Sequence, residues 1–566
     1  MMMTIEFATK PTAWRHWQLE IDGEIAWLRL AVDPDGGVRP NDYQLKLNSY
    51  DLGVDIELHD AVERLRLEHP SVRTVVIGSA LDRVFCSGAN IPMLATSTHA
   101  DKINFCRFTN ETRFAIEDAS ANSGQTYLAA MAGTTAGGGY ELALACDYLM
   151  LVDDRSSAVS LPEIPLLGVL PGTGGLTRVV DKRKVRRDRA DQLSTMAEGV
   201  MGQTALDWKL VDELVPRSTF DDVVTDRART LAAGSSRPSA SSDDTQRGFV
   251  LDDIVPVTND DHVDLGWVRI DLDRAAANAT ITIVAPDTEP PGDLLAGNGG
   301  WLLGAARQLD RAILHLRFNE PEIGQFLLKT VGDADLVAAW DERLTGEDWA
   351  TVELRLLWKR TLQRLEQSAR SLLAVIEPGS CFVGLLFELV LAADRSWMLD
   401  GTFEDLDDPP NAATVRLTAS NATFASTTAS SASPPLLPML SGQHRLFSHF
   451  SGDDEAIDAV ISALGQDLDA QSAAALGLIT STPDDLDWDD EIRVSLEERA
   501  SFNPDALTGM EATLRFVGNE NCDTKTLGRL TAWQNWIFHR ENASGPSGGL
   551  RSFGTGRRPR YDPNRT

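Results

Sequence analysis

A short apolar strand, a glycine-containing turn and a strongly apolar helix follow one another once in each half of this chain. That repetition restricts the fold more than any other feature. In the first half Tyr127–Met131 precedes GTTAGGGYELALACD, residues 133–147; in the second Leu372–Ile376 precedes GSCFVGLLFELVLAAD, residues 379–394. In both, a glutamate stands six residues before an aspartate, Glu141 before Asp147 and Glu388 before Asp394. The openings of the halves also correspond, WQLEIDGEIAWLRLAVDPDG from Trp17 and WVRIDLDRAAANATITIVAPD from Trp267. Self-similarity on this scale reads as two copies of one arrangement, the second altered.

The first copy is an α/β pattern. Two alternating runs around Asp22-Gly23 (residues 14–32) predict a β-hairpin. Residues 53–67 predict an amphipathic helix stopped before Pro70, residues 72–78 a buried β-branched strand, and residues 101–119 a helix. Phe85–Ile91 reads as a loop built on Gly88, Glu141–Cys146 as a helix and Tyr148–Val152 as a strand. Strands alternating with helices place this half among α/β domains. The stretch GSSRPSASSDDTQRG (234–248) has linker composition, and the Ser/Thr/Ala tract Ala419–Ser433 reads as a long loop. The expected organisation is a catalytic domain over 1–233, a Ser/Asp-rich linker over 234–262, an altered second copy over 263–480, and a helical region with a basic tail over 481–566.

Charge and cysteine usage exclude several function classes. With 84 acidic and 52 basic residues among 566, the formal net charge is −32, which opposes nucleic-acid binding. Five scattered cysteines without a C-x-x-C pair fit neither a disulfide framework nor a zinc ribbon, and the dispersed histidines supply no metal site. The longest apolar run, Val383–Ala393, is interrupted by Glu388 and falls short of the roughly 20 residues a membrane span needs. The opening MMMTIEFATK lacks the apolar core of a secretory signal, so the expectation is a cytoplasmic protein. Gly545–Gly549 matches G-x-S-x-G and Gly297–Gly300 precedes a helix, but neither motif has the context its chemistry requires.

The chemistry concentrates in the first half. Gly137-Gly138-Gly139 ahead of a helix leaves amide N–H groups free at a helix N-terminus, where they favour developing negative charge. The loop Cys86–Asn90 supplies a second set of donors. Close packing alone also explains a glycine triplet. Glu141 opens the helix after the glycines, and Glu163 lies in the apolar stretch SLPEIPLLGVLPGTGG. Two carboxylates on one pocket divide acid and base roles when their surroundings separate their pKa values.

FCSGANI, AGGGYELALACD and SLPEIPLLGVLPGTGGLTR, in that order, resemble the crotonase (enoyl-CoA hydratase/isomerase) superfamily. The resemblance implies a crotonase-like spiral of ββα units, as an N-terminal catalytic copy and a degenerate second copy followed by C-terminal helices. It implies an oxyanion hole from the backbone N–H groups of Ala89 and Gly138, holding an acyl-CoA thioester carbonyl, with Glu141 and Glu163 as the catalytic pair. KLNSYDLGVDIELHDA, INFCRFTNETR, VDDRSSAVSLPE, ILHLRFNEPEIG, IEPGSCF, ALTGMEA and AWQNWIFHR further resemble the benzoyl-CoA-dihydrodiol lyase family, which opens 2,3-epoxy-2,3-dihydrobenzoyl-CoA with two waters to 3,4-didehydroadipyl-CoA semialdehyde and formate. Cys106 then falls at a catalytic position near the pocket, Asn104 and Asn110 are pocket candidates, and Lys46 is a candidate for the CoA phosphates. The resemblance implies no cofactor besides the CoA of the substrate. The partner is an acyl-CoA, and two fused cores suit a homodimer. The alternatives are a general enoyl-CoA hydratase and a non-catalytic acyl-CoA-binding protein. In the second half Leu385 and Leu386 stand in the slots of Gly138 and Gly139, and no counterpart of Glu163 follows, so no active site is expected there.

Overall fold

The structure, a computed structural model, describes residues 4–238, 248–403, 411–422, 435–518 and 520–566. Contacts divide the chain into two compact units, one ending at Asp252 and one spanning Asp253–Thr566.

In the first unit, strands β1 (Trp17–Asp22) and β2 (Ile25–Leu30) pair as the expected hairpin, turned at Gly23. Helix α1 (Leu52–Leu67) starts at Asp51, whose carboxylate accepts from the amides of Gly53 and Val54, a side-chain cap. Then come β3 (Thr74–Ser79), β4 (Arg83–Cys86) and the long α2 (His99–Ser123), followed by β5 (Thr126–Met131), β6 (Gly133–Ala136) and α3 (Gly138–Ala145). A third round is β7 (Tyr148–Asp153), β8 (Ala158–Ser160) and the short α4 (Glu163–Leu167); β9 (Val200–Met201) and β10 (Glu213–Pro216) complete the strands.

After the hairpin and α1 the pattern strand, strand, helix occurs three times, and the first strand of each of these rounds enters one sheet while the second enters another. The six-stranded sheet runs β1-β2-β3-β5-β7-β10, parallel after the hairpin; the four-stranded sheet runs β4-β6-β8-β9. This is the ββα spiral of the crotonase fold. Val75, Ile77, Leu128, Leu149 and Leu151 are fully or almost fully buried, which explains why these strands read as continuous apolar runs. Within the small sheet β4, β6 and β8 are mutually parallel, in the register Val84↔Thr134 and Ala136↔Ser160. Their C-terminal ends therefore emerge side by side.

The flanks of the Ser/Asp-rich stretch are packed. Arg237 is buried and donates to the carbonyls of Arg66 (3.1 Å) and Pro70 (3.3 Å), and the Phe249 amide donates to the Leu67 carbonyl (2.8 Å). Residues 239–247, like most of the Ser/Thr/Ala tract, lie outside the described residues.

The second unit repeats the first arrangement in part. Strands β11 (Val257–Thr258) and β12 (His262–Asp264), within the stretch expected to be linker or at its edge, extend its sheet. Strands β13 (Val268–Asp273) and β14 (Asn278–Val284) form the antiparallel pair, and β15 (Gln325–Val331), β16 (Ser371–Ile376) and β17 (Arg395–Met398) follow in parallel. The small sheet has no counterpart among the described residues beyond isolated bridges such as Val383↔Arg416. The basic tail is anchored at its end. Arg565 is 2% exposed and meets the carboxylate of Glu511 (2.5 Å) and the carbonyl of Gly324 (2.9 Å). Burial opposes ionisation of Glu511, yet Arg565 and Arg515 outweigh it and hold that carboxyl below its ordinary range.

Helix α5 (Phe387–Ala392) carries Glu388, which is buried and structural. Its carboxylate accepts from Asn421 Nδ2 (2.6 Å) and pairs with Arg445 (3.0 Å), and Arg445 also pairs with buried Glu366 (2.6 Å). Burial pushes both glutamate pKa values up, and the Arg445 charge pulls against it. Arg445→Met leaves two buried carboxyls without their cation and is expected to cost the second unit about 3–5 kcal/mol. Urea unfolding followed by tryptophan fluorescence checks this, and an unchanged midpoint refutes it.

Candidate active site

The three loops that leave β4, β6 and β8 meet at one edge of the small sheet, and each brings a motif singled out in the sequence. After β4 comes Gly88-Ala89-Asn90. The Tyr50 amide donates to the Gly88 carbonyl (3.0 Å) and the Asn90 amide to the Tyr50 carbonyl (2.8 Å), which leaves the intervening Ala89 N–H outside the bridge. After β6 comes the glycine run. The Gly137 amide donates to the Ser160 carbonyl at the end of β8 (2.9 Å), and Gly138 becomes the first residue of α3. This helix starts three residues before the position expected for it, because the glycines take part in it. The Gly138 N–H, like that of Ala89, has no hydrogen-bond partner among the described residues. The two loops touch: a Cβ placed on Gly88 would lie 2.9 Å from the Gly138 nitrogen. Two unpaired amides thus stand at neighbouring positions, one at a helix N-terminus.

The glutamates close on the same point. Glu141, one turn into α3, is 2% exposed. Its carboxylate accepts from the Thr173 amide (3.0 Å), the Gly175 amide (2.7 Å) and the Thr173 hydroxyl. Glu163, at the first position of α4, has one carboxylate oxygen near Gly137, at 2.8 Å from where a Cβ there would sit, and the other buried without a hydrogen-bond partner. Burial first and the neighbouring Glu141 second raise the Glu163 pKa to about 7. One carboxylate is therefore saturated with donors, and the other keeps an unpaired oxygen and a proton affinity near neutrality. This is the separation of surroundings that acid–base chemistry requires.

The remaining candidates take definite places. Cys106 lies on α2 against the turn Gly172–Gly175, its sulfur 3.8 Å from where a Cβ on Gly172 would sit. Burial, then the charges of Glu141 and Asp55, push its pKa up to about 11, so it is a thiol and not a thiolate at neutral pH. Asn110 donates to the Gly172 carbonyl (3.1 Å) and braces the turn whose amides hold Glu141. Asn104 is 3% exposed and accepts from Arg107 (3.5 Å). Lys46 is exposed, and its carbonyl accepts from the Ser49 amide (2.9 Å); the adjoining Leu47 carbonyl accepts from the Ser87 amide (3.2 Å), so Lys46 stands beside the first donor loop.

Several residues of this site are not singled out by sequence reasoning. Thr173 and Gly175 hold Glu141, and Arg178 fixes their turn by donating to the Thr173 carbonyl (2.9 Å) while paired with Glu117. Asn48 ties its segment to β2 and β4 through the carbonyls of Leu30 (3.1 Å) and Phe85 (3.2 Å). Tyr50 is 3% exposed and reaches Gly138. The available signals were the PGTGG string for the turn and the LNSY string beside the FCSG loop.

In the second unit the corresponding place is filled. The amide of Leu385, which stands in the slot of Gly138, donates to Asp341 Oδ1 (2.7 Å). The same buried carboxylate accepts from Thr418 (2.6 Å) and Ser420 (2.8 Å). The donor left free in the first unit is thus spent internally. Among the described residues no group of three or more His, Cys, Asp or Glu side chains is arranged to hold a metal ion.

Comparison with known proteins gives four findings. The enoyl-CoA hydratase/isomerase family matches residues 43–244. The chain is 49% identical to the benzoyl-CoA-dihydrodiol lyase of Aromatoleum evansii, over 99% of this chain and 98% of that protein. It is 29% identical to the fatty acid oxidation complex subunit alpha of Aliivibrio fischeri over 37% of this chain and 28% of that one. Among solved structures, an enoyl-CoA hydratase of Geobacillus kaustophilus is 31% identical over 39% of this chain and 75% of its own, with a TM-score of 0.34.

The raised Glu163 pKa has a stability consequence. Its carboxyl ionises near 4.5 when unfolded and near 7 when folded, so folding retains a proton across that interval. The contribution is fully present at low pH and lost as pH rises through about 7. Glu163→Gln cannot ionise, and its melting temperature should exceed wild type by a margin that grows between pH 5.5 and 8.5. Scanning calorimetry over that range stays clear of the isoelectric point near 4.6. A margin independent of pH refutes the assignment.

Proposed function

The chain belongs to the benzoyl-CoA-dihydrodiol lyase family, within the enoyl-CoA hydratase/isomerase superfamily, and we propose that its first unit opens the ring of 2,3-epoxy-2,3-dihydrobenzoyl-CoA, releasing 3,4-didehydroadipyl-CoA semialdehyde and formate in aerobic benzoyl-CoA breakdown. The observation that carries the catalytic reading is the convergence of two unpaired amides, Ala89 and Gly138, with two glutamates in unlike surroundings.

In this reading the thioester oxygen accepts from the amides of Ala89 and Gly138. Negative charge delivered through the conjugated ring collects on that oxygen, where the dipole of α3 favours it. Glu141, gripped by the turn Gly172–Gly175, holds and activates water. Glu163 carries a proton near neutrality and supplies it as the epoxide C–O bond breaks. A second water and cleavage of a ring C–C bond then yield the acyclic aldehyde and formate. Cys106 lines the pocket as a neutral thiol, with Asn104 beside it on α2, and Lys46 meets the CoA phosphates. No cofactor takes part. We place the reaction in the cytoplasm, in line with five free cysteines, and propose a homodimer as the assembly. No described helix is long and apolar enough to cross a membrane.

A general enoyl-CoA hydratase uses the same constellation, so the substrate decides between the two readings. Formate release from enzymatically generated 2,3-epoxybenzoyl-CoA, measured beside crotonyl-CoA hydration, is the test. Formate should appear, and Glu141→Gln or Glu163→Gln should slow it by about 10²–10⁴-fold. The rate kcat/KM should fall as pH rises past about 7, and this limb should vanish in Glu163→Gln. Glu388→Gln should leave kcat nearly unchanged. Hydration of crotonyl-CoA without formate moves the protein to the general hydratases, and binding without either turnover leaves an acyl-CoA-binding protein.

A further inference from the structure

Tyr50 holds a hydroxyl that the free protein does not use. The side chain is buried at 3% exposure, and its oxygen has no hydrogen-bond partner. Buried hydroxyls nearly always find one, because leaving the group unpaired away from water is costly. This oxygen lies against Gly138, only 2.0 Å from where a Cβ on that residue would sit. Any side chain at Gly138 would displace it, which accounts for glycine at this position as much as the helix start does.

The ring is held firmly. It packs against Phe105 with centroids 5.8 Å apart, and the Arg113 guanidinium lies 5.3 Å from its centroid. Arg113 is fixed in turn by the buried Asp55 carboxylate at 2.5 Å. The Tyr50 main chain bridges Gly88 and Asn90, so one residue aligns the first donor amide with its backbone and touches the second donor residue with its side chain. Burial raises the phenol well above its ordinary range, with Asp55 and Glu141 adding to the rise and Arg113 opposing it. The hydroxyl therefore stays neutral and serves as a donor.

We infer that the Tyr50 hydroxyl is a third hydrogen-bond donor of the oxyanion cradle, completing the set begun by the Ala89 and Gly138 amides once a thioester oxygen is bound. The inference rests on the acyl-CoA reading of the pocket and adds a residue that reading does not contain. Tyr50 transfers no proton. It donates a hydrogen bond that strengthens as charge accumulates on the oxygen, so its effect falls mainly on kcat.

Tyr50→Phe tests this, since it removes one oxygen and keeps the ring between Phe105 and Arg113. The free variant loses no hydrogen bond and should melt at or above the wild-type temperature. Its kcat for formate release should fall on the order of 10²-fold with a much smaller change in KM. With benzoyl-CoA as the probe, the infrared carbonyl stretch of the bound thioester should move to higher frequency in the variant, because one polarising donor is gone. An unchanged kcat and carbonyl frequency overturn the inference. So does a variant that is less stable when free but polarises the carbonyl as wild type does, since the hydroxyl is then structural. If the wild type releases no formate yet the carbonyl frequency still depends on Tyr50, the third donor stands and the ring-opening assignment falls.

Discussion

The parallel pairing of β4, β6 and β8 is the constraint on which the site depends. These strands are short, and their three loops come from segments far apart in the chain. Evenly spaced parallel hydrogen bonds put their C-terminal ends at one edge. Each loop then needs to supply only one thing: the Ala89 amide, the Gly138 amide, or the Glu163 carboxyl. The Gly137 amide, bonded to the Ser160 carbonyl, couples the second loop to the third.

The electrostatic division within the site follows from unlike hydrogen-bond donor sets, from burial and from the closeness of the two carboxyls to each other. Glu141 is satisfied by two amides and a hydroxyl of a glycine-rich turn. Glu163 begins a helix with no buried residue and has an orphan oxygen, and both burial and its partner glutamate favour its proton. One helix start and one turn thereby convert two chemically identical side chains into an acceptor and a donor.

The described residues of the second unit keep this architecture with isolated bridges in place of the small sheet. The unit keeps the antiparallel pair β13–β14 and the parallel order of β14 to β17, along with the strand, turn and apolar helix of the repeat. Where the first unit has glycine and an idle amide, it has Leu385 and the Asp341 carboxylate. Its remaining glutamate pairs with Arg445 and accepts a hydrogen bond from Asn421. The Leu385 amide and the Glu388 carboxylate are thus bonded within the unit, and groups placed for chemistry in one copy serve packing in the other.

The amino-acid sequence by itself determined the elements and the motifs. Short β-branched runs read as buried strands, Asp22-Gly23 as a tight reversal, and three glycines before an apolar run as a helix start with open amides. Those are local properties, set by backbone sterics and side-chain periodicity. The ordered motifs around Gly88, Gly138, Glu141 and Glu163 carried the family as well, because their order and spacing survive without any view of the fold. Sequence could not tell which side chains meet. Asn110 braces a turn, Thr173 and Gly175 hold Glu141, Arg565 reaches back to Glu511, and the Tyr50 hydroxyl rests on Gly138. Each of these pairings spans dozens of residues and has no periodic signature. Only the tertiary structure decided them, because burial and unpaired hydrogen-bonding groups are properties of packed neighbours and not of the chain alone.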